Sequence, residues 1–249
     1  MLSDRRQQIL RSLIEEYVSC AMPVGSRTLT EHYKLGVSPA TVRNELSALE
    51  EEGYITQPHT SAGRIPTDLG YREFVDEILS SRSESMAPVE ERMADMMRSS
   101  ASRLDDLIRR TSEELARLTD CLSLVEEMHP EDGSGKSIVK RRPLGLASLM
   151  RKPEFQESSS LLPLMEILEN DTVHFKAFDD ASMSTDGFAI RIGEENSESG
   201  LSCVSVIAGV YGEGPMKGVV AVIGPKRMDY SRVIGAVRAA QAVLNEEGR

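Results

Sequence analysis

Between Ser38 and Asp76 the chain carries a run of local signals that few folds can satisfy together. Ser38 is a good helix N-cap, because its hydroxyl can accept a bond from a free amide one turn on. Pro39 follows at the first helical position, where no amide donor is needed. Val42, Leu46 and Leu49 then recur as one apolar stripe, and Ala40, Arg43, Asn44 and Ser47 form the opposite, unobstructed face. Gly53 ends this helix, since a left-handed residue there costs glycine little. Tyr54–Gln57 and Ile65–Thr67 have the make-up of two short strands, the second an edge strand that tolerates Pro66. A further helix starts at Thr67 or Asp68 and buries Tyr71, Phe74, Val75, Ile78 and Leu79. Upstream, Ser3 and Asp4 can cap a first helix striped by Ile9, Leu10, Leu13, Ile14, Tyr17 and Val18. Ser26 caps a second through Leu29 and Tyr33, with Gly36 in the turn that follows. The order predicts a winged helix-turn-helix over residues 1–80, with the helix after Ser38 as its reading helix.

The residue types on that helix suit a DNA duplex. Arg pairs bidentately with guanine and Asn with adenine in the major groove, which fits Arg43 and Asn44. Ser38 and Thr41 stand at a helix N-terminus, where free amides and the helix dipole favour a phosphate. Arg27 lies in the first turn of the helix that crosses the backbone in this motif. The loop His59-Thr60-Ser61-Ala62-Gly63-Arg64 offers hydroxyls and cations to the backbone or the minor groove. Taken alone, the helix fits an ordinary solvated surface better, Arg27 equally fits one, and the loop also fits a turn held by its own bonds.

Net charge weighs against an indiscriminate nucleic-acid binder. The chain carries −11, and residues 1–80 hold eight Lys or Arg against twelve Asp or Glu. A basic footprint is the usual signature of duplex binding. Local placement resolves the conflict: Glu50, Glu51 and Glu52 lie at the far end of the reading helix, and Glu73, Asp76 and Glu77 lie beyond the loop. Such acidity suppresses non-specific binding and leaves affinity to a few well-aimed contacts.

Residues 80–89 form a polar break with a proline, which sets a domain boundary. Met97, Ala101, Leu104, Ile108, Thr111, Leu115, Leu118, Leu122 and Val125 then alternate by fours and threes, the period of a coiled-coil seam. This segment, 81–128, is either a dimerisation helix or a helix packed on its own C-terminal domain. Residues 129–143 have loop composition and include the basic run Lys140-Arg141-Arg142. Residues 144–249 alternate helical and strand signals: a short helix from Leu144, a helix at 161–169, strands at 172–178, 187–192, 201–211 and 217–224, and a last helix through Val233, Ile234, Val237, Ala240 and Leu244. That is an α+β domain. Cys20, Cys121 and Cys203 lack metal spacing and read as small buried hydrophobes of a reduced, cytoplasmic protein. No signal peptide is evident and no apolar run approaches the ~20 residues of a membrane span. Gly193-Glu194-Glu195-Asn196 and Asp179, Asp180 and Asp186 read as strand-end turns ahead of metal ligands, and Gly224-Pro225-Lys226-Arg227 as a structural turn. No catalytic constellation, cofactor motif or metal site stands out, so an enzyme is the weakest reading.

The strings PVGSRTL, SPATVRNELSALEEEGYI and QPHTSAGRIPTDLGYREFVDEI closely resemble the HrcA family of heat-inducible transcription repressors, nearly continuously over residues 1–80. GLASLMRKPEF, IRIGEEN and GVVAVIGPKRMDYSRVI resemble it further on. The resemblance implies a GAF-like C-terminal domain, an inverted-repeat operator of the CIRCE type bound by a homodimer, and maintenance of the repressor by the GroEL chaperonin. Family members are considerably longer. Here the region between the seam and PEF is abbreviated, which implies loss of the early GAF-like strands and of an inserted dimerisation module, and leaves the seam at 97–125 as the candidate dimer surface. Two other functions fit the same residues: a small-molecule sensor working through the GAF-like domain, and a shortened interaction protein that no longer binds DNA.

Overall fold

A computed structural model describes residues 2–59, 62–81, 87–98, 104–129, 138–169, 175–197, 200–213 and 217–247. The chain divides into two units, Met1–Arg82 and Ser83–Arg249.

In the first unit, α1 (Asp4–Cys20), α2 (Ser26–His32) and α3 (Pro39–Glu51) precede β1 (Ile55–Thr56), β2 (Ile65–Pro66) and α4 (Asp68–Ser80). Each apolar stripe turns inward: Leu13, Ile14, Leu29, Val42, Leu46, Leu49 and Val75 are fully buried. Local chemistry sets the boundaries. The Ser38 hydroxyl accepts the Thr41 amide at 3.2 Å, and Thr67 does the same for Gly70 at 3.2 Å. Gly53, at φ 82°, supplies the left-handed residue after α3. The N-cap of α2 is Gly25, so Ser26 is its first helical residue and not its cap. β1 and β2 pair antiparallel, Ile55 with Pro66 and Thr56 with Ile65.

The second unit is built on a five-stranded antiparallel sheet in the order β4-β3-β7-β6-β5. Its strands are β3 (Leu122–His129), β4 (Ile138–Leu144), β5 (Phe188–Ile192), β6 (Val204–Tyr211) and β7 (Gly218–Pro225). The helices are α5 (Ala87–Arg98), α6 (Leu104–Thr119), α7 (Leu146–Met150), α8 (Ser158–Glu169), α9 (Lys176–Met183) and α10 (Tyr230–Glu247). Alternation along the strands sorts side chains to two faces. Leu122, Leu124, Val206, Ala208, Val219, Ala221 and Ile223 form one core with Leu149, Phe155, Leu164, Phe175 and Phe178 from the α7–α9 side. α5, α6 and α10 pack together, and α6 and α10 lie against the sheet.

Four expectations are corrected here. The 97–125 repeat is not one helix, because Leu122 and Val125 belong to β3. Of its helical members, Met97, Ile108, Thr111, Leu115 and Leu118 are buried within this unit, so they are not a free seam for a second chain; Ala101 lies outside the described residues. The stretch 129–143 is not all loop, since β4 starts at Ile138 and pairs with β3 from His129↔Ile138 to Ser123↔Leu144. Those two strands are the early part of the sheet, so its early strands are present. Finally, the strand expected at 172–178 gives way to α9 from Lys176, with 172–174 outside the described residues.

The strings of this unit that resemble the family, and its acidic turns, resolve into internal ties. Arg227 makes two bonds to Glu154 of the PEF turn. Asn196 donates to the carbonyls of Gly193 at 2.9 Å and Val204 at 3.1 Å, which makes GEEN a structural turn. Asp180 pairs with Arg191 and Asp186 with Arg238. Burial pushes the Cys121 thiol up to about 11, as for an inert hydrophobe, whereas Cys20 and Cys203 are only half-buried. At the packing of α6, the hydroxyl of Thr111 is buried without a hydrogen-bond partner among the described residues. A buried hydroxyl in that state costs about 1–3 kcal/mol. Thr111→Val is therefore expected to stabilise the unit by about 1 kcal/mol, measured by urea denaturation; a loss of stability would show that the hydroxyl is satisfied in solution.

Candidate nucleic-acid interface

The exposed face of α3 is built by its own periodicity. With Val42, Leu46 and Leu49 fully buried, Ala40, Arg43 and Asn44 face outward and are exposed. Ser38 is exposed at the helix start, and its hydroxyl lies 3.0 Å from that of the half-buried Thr41. Arg27 is exposed in the first turn of α2, and α2 packs against α3. His59 is exposed where β1 leads into the loop, and its carbonyl accepts the Ala62 amide at 2.8 Å. Thr60 and Ser61 lie outside the described residues.

Arg64 is placed differently from expectation. It is not a free cation on the loop: its Nε and Nη2 lie 3.1 and 3.0 Å from Glu50 Oε2, and its side chain is 18% exposed. Its amide and carbonyl are both bonded to Val24 at 2.9 Å. Gly63 beside it is obligatory, since a Cβ there would stand 2.5 Å from the Val24 carbonyl carbon.

The charge conflict raised by the sequence has a specific resolution in this unit. Arg6 bonds Glu45 at 3.0 Å and also bonds Glu52, and Arg5 reaches Glu45 at 3.7 Å. Arg11 bridges Glu15 and Glu77, Arg64 holds Glu50, and Arg72 reaches Asp76. Among the described residues of the unit, the cations outside ion pairs are Arg27, Lys34 and Arg43. All three lie on α2, the turn after it, or α3. Lys34 is exposed in that turn, and sequence reasoning missed it. A single lysine in a turn carries no pattern; it becomes informative only once the other cations are seen to be paired.

Residues 143–234 match a family model described as the HrcA protein C terminal domain. Over nearly its whole length the chain is 33% identical to a heat-inducible transcription repressor HrcA of Frankia casuarinae, across 99% of this chain and 98% of that one. It is 32% identical to that of Streptomyces avermitilis over 99% and 98%, and 34% identical to that of a Parafrankia species over the same shares. The first of these alignments extends over 338 positions for a chain of 249 residues, so the relative carries a long stretch with no counterpart here. A crystal structure of a hypothetical protein at 2.2 Å resolution shares the fold, with TM-score 0.81 and 22% identity over 100% of this chain and 99% of that one. Together these define the class, a transcription repressor and not an enzyme. The chain belongs to the HrcA family. Its five-stranded sheet with flanking helices fits the GAF-like C-terminal domain of that family. None of the helices among the described residues is long and apolar enough to cross a membrane.

Proposed function

We propose that the first unit is a winged helix-turn-helix and that the protein represses heat-shock genes by binding an inverted-repeat operator of the CIRCE type as a homodimer in the cytoplasm. α3 enters the major groove with Arg43 and Asn44 toward base edges. Ser38, Thr41, Arg27 and Lys34 meet phosphates, and the loop from His59 through Thr60 and Ser61 lies on flanking backbone or minor groove. The observation that carries this reading is the sorting of charge: Arg27, Lys34 and Arg43 are left outside ion pairs on α2, its turn and α3, while the nearby carboxylates of Glu45, Glu50 and Glu52 are engaged by arginines. Few cations in one place favour a specific site over random duplex. Family membership further supports the GroEL chaperonin as the partner that maintains active repressor. The apolar seam of α5 and α6 is buried within its own unit, so the homodimer forms elsewhere.

The test is selection from a pool of random duplexes, with and without chaperonin, followed by sequencing of what is retained. An inverted repeat is the expected product, enriched more strongly with chaperonin. Arg43→Ala is expected to weaken binding to the selected site by about 1–3 kcal/mol and to relax base preference at one position of each half-site. Unchanged affinity and preference would remove α3 from the groove.

A further inference from the structure

We infer that Arg64 and Glu50 form a positioning pair that sets the loop after β1 at one angle to α3, and that Arg64 acts through Glu50 without touching the duplex. This rests on the docking reading above. Glu50 lies seven residues beyond Arg43, which is two turns along the same line of α3. A bare carboxylate at that place would repel the phosphates beside the groove. Arg64 meets it with two nitrogens at 3.0 and 3.1 Å, so the helix surface there is neutral.

The same contact fixes the loop from a second direction. The Arg64 main chain is bonded both ways to Val24 at 2.9 Å, in the linker between α1 and α2. Gly63 lets those two backbones close to a distance that no Cβ would permit. On the strand side, Gln57 Nε2 donates to the Ala62 carbonyl at 2.7 Å. The loop is thus closed on itself at its base by Gln57, and tied to the linker before α2 and to the end of α3. Of these ties, the one to α3 is made by side chains alone, through Arg64 and Glu50.

The two roles open to Arg64 give opposite signs for one substitution. Glu50→Gln removes a negative charge from a DNA-binding surface and reduces the bond to Arg64 from an ion pair to a neutral one. If Arg64 contacted phosphate, operator binding would tighten. As half of a positioning pair, its weaker hold loosens the loop, so binding weakens by about tenfold, the scale of one charge-assisted bond. The readout is operator affinity of the full chain together with hydroxyl-radical footprinting. Protection at the outer flanks of the site is expected to fade while protection beside α3 persists, a pattern that simple loss of stability would not give. The exchanged pair, Glu50→Arg with Arg64→Glu, restores the ion pair and is expected to recover the wild-type flank protection. It also keeps the inference testable if Glu50→Gln folds poorly. A Glu50→Gln chain that binds as tightly as wild type, or an exchanged pair that does not recover the flanks, overturns this inference alone. A wild-type chain that retains no duplex removes the docking reading and this inference with it.

Discussion

Arg141→Ala is expected to cost the second unit about 3–5 kcal/mol, because it removes a guanidinium bonded to the fully buried Glu126. Glu126 is fully buried, and the Arg141 side chain is 4% exposed. The two face each other across β3 and β4, in the register Glu126↔Arg141. Arg141 also donates through Nη1 to the Ile167 carbonyl at 2.9 Å and so fastens the edge strand to α8. Water cannot replace the guanidinium without opening that contact. The measurement is chemical denaturation followed by circular dichroism, with hydrogen exchange of the β3 and β4 amides to localise the loss. Replacing both residues by methionine removes the charge altogether and is expected to return most of the stability. A near-neutral Arg141→Ala would contradict this account of the pair.

Gly70→Ala is expected to destabilise the first unit by about 2–3 kcal/mol, although alanine ordinarily favours a helix over glycine. An added Cβ would stand 2.2 Å from the Tyr54 carbonyl oxygen. That oxygen cannot recede freely: it accepts the Thr67 amide at 3.1 Å and the Thr67 hydroxyl at 3.0 Å. The clash therefore falls on the joint that seats the start of α4 against the entry to β1. A fall in melting temperature on the order of 10 °C is expected for a unit of this size, with operator binding lost at the temperatures where the variant melts. Gly36→Ala is the control: it meets nothing within 4 Å, and only its positive φ of 67° is strained. A Gly70→Ala chain as stable as wild type would show that the Tyr54 contact gives way without cost.

What could be read from the sequence followed the range of the interactions. α3 was legible because its cap, stripe and terminator all lie within Ser38–Gly53, and α4 because Thr67 caps it locally. The pairing of Arg64 is not legible in the sequence, because its partner Glu50 stands fourteen residues away and belongs to another element. The seam was overextended for a different reason. Leu122 and Val125 continue the spacing of α6 by coincidence, while the chain turns at Asp120, a non-glycine residue with φ 49° that gives no breaker signal. β4 was hidden by its charges: Arg141 and Arg142 look like a solvated loop until Glu126 and Glu127 are placed opposite them. At 172–178, Phe175 and Phe178 have the look of strand residues, yet their rings meet tilted at 5.1 Å at the start of α9 and fill the core there. The exposed face of α3 needs no tertiary information, since burying one stripe exposes the other.

The central claim is that duplex binding depends on a small set of unpaired cations on α2, its turn and α3. The salt dependence of operator affinity tests it most directly. Each phosphate neutralised contributes about −0.9 to the slope of log affinity against log salt. With Arg27 and Lys34 on phosphates in each of two protomers and Arg43 at base edges, the slope is expected to be about −4, and Lys34→Ala is expected to make it shallower by about 1–2. A slope of about −8 or steeper, or one that Lys34→Ala leaves unchanged, would mean that the arginines seen in ion pairs turn to the DNA, and would contradict the account.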